Sequence, residues 1–147
     1  MLKYVGLLIE DDINGMKRAI KCAPNEFTYS RYTNDSIDWN WVKSFEEFKK
    51  WILKFGIPEY FAFDHDLGTD AYELWHKNNG YIEKDINYDD YMTPTGYHCA
   101  KWLVDYCLDK HILFESEVHC HSQNTKGREN IVALLANFKK FQIKNGA

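Results

Sequence analysis

Three strand candidates along this chain end abruptly on charged or polar residues. Tyr4–Ile9 (YVGLLI) runs unbroken into Glu10-Asp11-Asp12. Tyr60–Phe63 runs into Asp64-His65-Asp66-Leu67-Gly68, and Phe114–Cys120 into His121-Ser122-Gln123-Asn124. An apolar run without alternation suits a strand buried on both faces, as in a parallel sheet. Residues 27–32 and 37–42 alternate instead, with Ile37, Trp39 and Trp41 on one face. That pattern fits a hairpin or a loop followed by a second sheet strand, and it does not choose between them.

Helical spacing fills the intervals. Ile13, Met16, Ile20 and Ala23 recur on one face before Pro24 ends the segment, and Gly15 weakens that helix. Ser44-Phe45-Glu46-Glu47 reads as a capping box. Phe45, Phe48, Ile52 and Phe55 follow on one face, Gly56 closes the helix, and Pro58 opens the next segment. Thr95-Gly96 leads into a helix with Tyr97, Ala100, Val104, Cys107 and Leu108 along its apolar side. A last helix carries Ile131, Leu134, Leu135, Phe138 and Phe141. Residues 69–93 are rich in Asp, Asn and Tyr without periodicity, as expected of a lid, a binding loop or an insertion. Strands alternating with helices predict an α/β domain spanning 1–147, with a parallel sheet flanked by helices on both faces. Right-handed crossovers would then gather every strand-to-helix turn along one edge, where such folds bind ligands.

Charge narrows the partners. The chain has 147 residues, 18 basic and 22 acidic, for a net charge of −4. That balance argues against a long nucleic-acid groove, which needs a basic face, but leaves a short nucleotide or strand end as ligand. Cys22, Cys99, Cys107 and Cys120 form no CxxC pair, so neither a zinc knuckle nor a redox motif is visible. Their expected role is that of small core hydrophobes. No signal peptide precedes Lys3, and no apolar run reaches the ~20 residues of a membrane span. The expectation is a cytoplasmic protein with reduced thiols and no membrane contact. The abundance of Asn, Lys, Ile and Tyr suits an AT-rich genome, such as that of a phage or a low-GC bacterium.

If the strands are parallel neighbours, the polar clusters converge on one rim. Crowded carboxylates suit hard cations such as Mg²⁺ or Mn²⁺. Histidines titrate near neutrality and can trade protons with water or a leaving oxygen. Ser122, Gln123 and Asn124 can donate to phosphoryl oxygens, as can the start of the last helix. No Gly-rich phosphate loop and no nucleophile elbow is present. Blander roles stand beside these: Asp12 and Asn124 as helix caps, Lys126 and Arg128 as solvated charges, His119 as a packed strand residue. His76, His98 and His111 read as surface or helix positions. His65, between two aspartates, has few such explanations.

These residues give the chain its resemblance to the cyclic-phosphate-processing receiver-like domains, a divergent branch of the response-regulator receiver fold. The motifs that carry it are Glu10-Asp11-Asp12 after the first strand, Asp64-His65-Asp66-Leu67-Gly68, Thr95-Gly96-Tyr97 opening a helix, and the stretch His121-Ser122-Gln123-Asn124 through Gly127 to Asn130. Trp41-Val42-Lys43-Ser44 is similar to the family's second strand. The resemblance implies a three-layer, flavodoxin-like domain with a short parallel sheet of about four strands. It also implies a phosphoesterase acting on a small phosphate ester, a cyclic nucleotide or an RNA 2′,3′-cyclic end. Carried over, His65, His121 and Asp64 are catalytic, with acid and base roles interchangeable. Ser122, Asn124, Asn130 and Gly68 bind ligand, and Asp11, Asp12 and Asp66 hold Mg²⁺ or Mn²⁺. Two departures stand out: Asn14 occupies a position that is often basic, and the 69–93 stretch is longer than the core requires. Two other functions fit the same fold. One is a phosphoacceptor receiver using Asp64 or Asp66, which would also need a lysine after a fifth strand, and only Lys139, Lys140 and Lys144 remain beyond the apolar face of the last helix to supply it. The other is a non-catalytic module that binds a phosphorylated ligand or a protein.

Overall fold

A computed structural model describes residues 4–22, 36–67, 88, 91, 93–122 and 124–145. Its elements alternate as expected: β1 (Tyr4–Ile9), α1 (Ile13–Cys22), β2 (Ile37–Val42), α2 (Phe45–Phe55), β3 (Tyr60–Phe63), α3 (Gly96–Lys110), β4 (Glu117–Cys120) and α4 (Thr125–Lys144). Of the two options for residues 37–42, a parallel sheet strand is the one found, beside β1. Its alternating partner at 27–32, Pro24, Gly68, Gln123, His76 and most of the 69–93 stretch lie outside the described residues.

The four strands form one parallel sheet in the order β2-β1-β3-β4. The chain leaves β1 toward one side to make β2 and returns past it to make β3, so the switch point lies between β1 and β3. Strand alternation divides the side chains between two faces. Leu7, Ile9, Val42, Phe61, Phe63 and Cys120 face α2, α3 and α4, and join Phe48, Ile52, Leu103, Ile131 and Leu135 in the larger core. Leu8, Ile37, Tyr60 and Ala62 face α1, packing on Ala19, Met16 and Ile20. The result is a three-layer α/β fold of the receiver type.

Local signals explain the boundaries. Ser44 caps α2 by accepting the Glu47 N–H at 3.2 Å. The return half of the expected box is shifted by one residue: Glu47 accepts the Lys43 N–H at 3.4 Å. Strand β4 is shorter than the sequence suggests. The Phe114 N–H is taken by the Gln142 side chain at 2.8 Å, and the Ser116 hydroxyl donates to the Pro58 carbonyl, so Phe114–Ser116 are bound outside the ladder.

Candidate active site

The register sets the geometry. Ile9 pairs with both Val42 and Phe63, and Phe63 pairs with Cys120. One residue further on, the ladder continues through the Asp64 N–H to the Ile9 carbonyl and the His121 N–H to the Phe63 carbonyl. Glu10, Asp64 and His121 are therefore register equivalents on three adjacent strands, about 4.8 Å apart per step. Their side chains share the α1 face. One ligand atom from each lies within 4.8 Å of the others, and the group could hold a metal ion.

Glu10 is the centre of this cluster. It is buried. Its Oε1 lies 3.2 Å from His121 Nε2, and its Oε2 accepts the Asp12 N–H at 3.3 Å. The carboxylate lies over Gly15, where a β-carbon would overlap it. The glycine that weakens α1 as a helix thus lets Glu10 pack against its first turn. Burial alone would raise the Glu10 pKa; hydrogen bonds with His121, Asp64 and Asp11 outweigh it and hold the group below the usual value. Asp64 goes the other way. Burial, and then the charge and hydrogen bond of Glu10, push it well above the ordinary carboxylate range, with Asp66 and Asp11 adding to the effect. Two carboxyls so close cannot both ionise cheaply, so the pair favours a proton on Asp64 over one on Glu10. The His121 ring presents Nε2 to Glu10, while its buried Nδ1 has no hydrogen-bond partner among the described residues.

The Asp64-His65-Asp66 triplet is split between the two faces. His65 turns to the opposite side from Asp64 and is fully buried. Its Nδ1 lies 2.6 Å from Asp66 Oδ1 and its Nε2 lies 3.0 Å from the Tyr88 hydroxyl. Two helix starts close over it. The Gly96 N–H donates to the His65 carbonyl at 2.8 Å, and a β-carbon at Gly127 would stand 2.5 Å from His65 Cδ2. The glycines of the Thr-Gly-Tyr and C-terminal motifs are thus contact points on one dipeptide.

The remaining expected residues fall into place around these two groups. Asp12 caps α1, accepting the Gly15 N–H at 2.9 Å. Asp66 receives the Asn124 amide at 3.2 Å. Exposed Asp11 stands at the rim, close enough to act on the charges of Glu10 and Asp64. The expected cation set Asp11, Asp12 and Asp66 is therefore not the set brought together, because Asp12 is occupied by capping and Asp66 faces His65. Glu10, Asp64 and His121 meet instead. Asn124 is buried and caps α4 through the Gly127 N–H at 2.9 Å, and buried Ser122 accepts the Asn124 N–H at 3.1 Å. Asn130 donates to the Tyr88 hydroxyl at 3.0 Å. Gly68 lies outside the described residues. Tyr88 is the residue the sequence did not single out: it stacks on Tyr97 at 4.2 Å between centroids, within a stretch that has no periodicity to mark it. A groove at the opposite, amino end of the sheet, lined by Val5, Asn40, Trp51, Phe55 and Glu59, takes no part in either group.

Among the described residues no helix is long and apolar enough to cross a membrane. No curated protein and no solved structure matches the sequence. One family model does, over residues 7–137, and it describes a cyclic-phosphate processing Receiver domain. The match takes in the second half of β1, all of β2, β3 and β4, both glycine contacts on His65 and most of α4, so the chain belongs to the cyclic-phosphate processing Receiver domain family.

Proposed function

We propose that this domain is a phosphoesterase that opens a cyclic phosphate, on a cyclic nucleotide or an RNA 2′,3′-cyclic end, at the carboxyl edge of its sheet. The observation that carries this reading is the meeting of Glu10, Asp64 and His121 at the sheet edge, with the Glu10 pKa pushed down and the Asp64 pKa pushed up. In the opening step a water oxygen bonds to phosphorus and one ring P–O bond breaks. The water gives up a proton and the leaving oxygen takes one. The cluster supplies both partners: Asp64 as the group that carries a proton, and His121, held by Glu10, as the group that accepts one.

With Asp64 deprotonated, the same donor set fits a divalent cation in place of that proton. Two carboxylates and an imidazole suit Mn²⁺, and with water-completed coordination Mg²⁺. Such an ion would polarise a phosphoryl oxygen and acidify a bound water. Asp11, at the rim, is placed to add a further oxygen.

In this reading His65 is a positioning residue, since its ring is enclosed and both nitrogens are hydrogen-bonded. Ser122 and Asn124 shape the turn that starts α4, whose leading amides serve the phosphoryl oxygens. The three described thiols are unpaired, which supports a reducing, cytoplasmic location.

The test is a screen of 2′,3′- and 3′,5′-cyclic nucleotides with and without Mg²⁺ or Mn²⁺, comparing wild type with His121→Ala, Asp64→Asn and His65→Ala. Turnover by the wild type that His121→Ala loses without a change in melting temperature supports the reading. His65→Ala is expected to lower the melting temperature as well. No turnover, together with labelling of Asp64 by acetyl phosphate, would replace it with the phosphoacceptor reading. No turnover and no labelling, with a nucleotide that raises the melting temperature, would leave a binding module.

A further inference from the structure

We infer that Tyr88, His65 and Asp66 form a second centre, in which the Tyr88 hydroxyl is an activated nucleophile toward phosphoryl groups. The inference does not depend on the role proposed for Glu10, Asp64 and His121, which occupy the other face of the sheet edge.

The geometry is that of a nucleophile, a base and an orienting carboxylate. Asp66 Oδ1 lies 2.6 Å from His65 Nδ1, and the Tyr88 hydroxyl lies 3.0 Å from His65 Nε2. A carboxylate on Nδ1 fixes the neutral imidazole with its proton there, which leaves Nε2 as an acceptor. The Asn130 amide donates to the Tyr88 oxygen at 3.0 Å, and Nε2, as the acceptor of that tautomer, faces the phenolic hydroxyl at 3.0 Å. The same arrangement of roles activates a serine or cysteine on unrelated folds, and it is recognised by geometry and not by chain order.

Each member is held. Asn124 Nδ2 donates to Asp66 Oδ1 at 3.2 Å. The His65 ring is fully buried against Gly127. The Tyr88 ring stacks on Tyr97 at 4.2 Å and 11°, and meets His98 edge-on at 5.5 Å. Tyr88 itself is half-buried. Asn130 belongs to the second turn of α4, so the hydroxyl sits toward the positive end of a 20-residue helix. Lys126 and Arg128 lie in that helix's first turn. A helix start with basic residues favours an anionic electrophile, which points to a phosphoryl ester or anhydride over a neutral acyl group.

In the step, a bond forms between Tyr88 Oη and phosphorus and the bond from phosphorus to its leaving group breaks. The phenolic proton passes to His65 Nε2, the leaving oxygen takes a proton from water, and His65 returns its proton to the phenolate oxygen when the aryl phosphate is hydrolysed. Water then hydrolyses the aryl phosphate and restores the phenol.

Diisopropyl fluorophosphate tests this directly, because its P–F bond is the one broken and the adduct is stable enough to map. The wild type is incubated with it, and labelled tyrosines are located by peptide mass spectrometry, with Tyr97 as internal reference. Tyr88 is expected to label at least tenfold faster than Tyr97. The rate should reach half its maximum well below pH 10, where an ordinary phenol ionises. Tyr88→Phe, which keeps the ring, should remove the label. Asp66→Asn should slow it by about tenfold or more, since the wrong tautomer is then favoured. If Asp66→Asn does not fold, the pH profile of the wild type decides. Labelling of Tyr88 no faster than Tyr97, a profile that follows an ordinary phenol, or no label at all overturns the inference. Each of these leaves the cyclic-phosphate screen unaffected.

Discussion

The ring of His65 rests on the α-carbon of Gly127. A methyl group there would come within 2.5 Å of Cδ2, and the ring has no room to retreat because Asp66 and Tyr88 hold its two nitrogens. Gly127→Ala therefore sets two effects against each other. Helix propensity favours alanine by about 1 kcal/mol. Overpacking a rigid site costs about 1–3 kcal/mol. At the upper end of that range, as expected where a β-carbon would meet a ring fixed at both nitrogens, the clash wins and lowers the unfolding free energy in urea by about 2 kcal/mol. An unchanged or higher midpoint would mean that the helix start shifts freely and that His65 is not clamped.

Asp64 offers a test by pH. Its folded pKa lies well above 3.8, chiefly through burial and then through Glu10. The folded state therefore holds a proton that the unfolded chain releases, and stability falls as pH rises above about 4. Asp64→Asn keeps the shape of the protonated acid: its oxygen can still accept the His65 N–H, now at 2.9 Å from Asp64 Oδ1, and its amide can still donate to Glu10. The variant should melt higher than wild type at pH 7, and the difference should shrink to nothing as pH falls below 4. A variant less stable than wild type at pH 7 would show that Asp64 is ionised in the folded protein.

Much of this was legible in the sequence. Unbroken apolar runs at Tyr4–Ile9 and Tyr60–Phe63 marked sheet strands, and the acids after them marked the edge where Glu10, Asp64 and His121 meet. The partition of those acids was not legible. Which of Glu10, Asp11 and Asp12 points inward depends on where the β1 ladder ends, and Asp64 and His65 part company because alternation continues one residue past the strand. Strand register, not residue chemistry, selects Glu10 over its two neighbours. Gly15 looked like a weakness in α1 because its reason, the Glu10 carboxylate, lies outside the helix pattern. Tyr88 carried no signal, since its partners His65, Tyr97 and Asn130 come from three distant segments.

The Glu10–Asp64–His121 group predicts a pH-dependent ion site. Binding a cation there requires Asp64 to give up its proton, so affinity should rise with pH. Mn²⁺ titrated into the wild type and followed by electron paramagnetic resonance should show bound ion at pH 8 and much less at pH 5.5. Glu10→Gln and Asp64→Asn should each weaken binding by at least tenfold, while Asp12→Asn, at the α1 cap, should weaken it little. Equal loss in Asp12→Asn would place the ion on the Asp11-Asp12 side instead.

Beside the Ser116 tether to Pro58, one buried side chain binds two main-chain groups of the segment between α3 and β4. Gln142, on the last turns of α4, accepts the Phe114 N–H at 2.8 Å and donates to the Ile112 carbonyl at 2.9 Å. It is 2% exposed, so water cannot easily replace it. Gln142→Leu keeps the volume but leaves two main-chain groups unpaired, each costing about 1–3 kcal/mol. Urea unfolding should show a loss of about 2–4 kcal/mol, the lower part of that sum, because partial solvation offsets some of the penalty. Gln142→Glu separates the two bonds: an ionised carboxylate still accepts from Phe114 but cannot donate to Ile112, and it must be buried to do so. It should lose more stability at pH 8 than at pH 4.5, where the protonated acid can serve both partners. Equal losses at the two pH values would show that residue 142 is open to solvent and that the turn is held by something else.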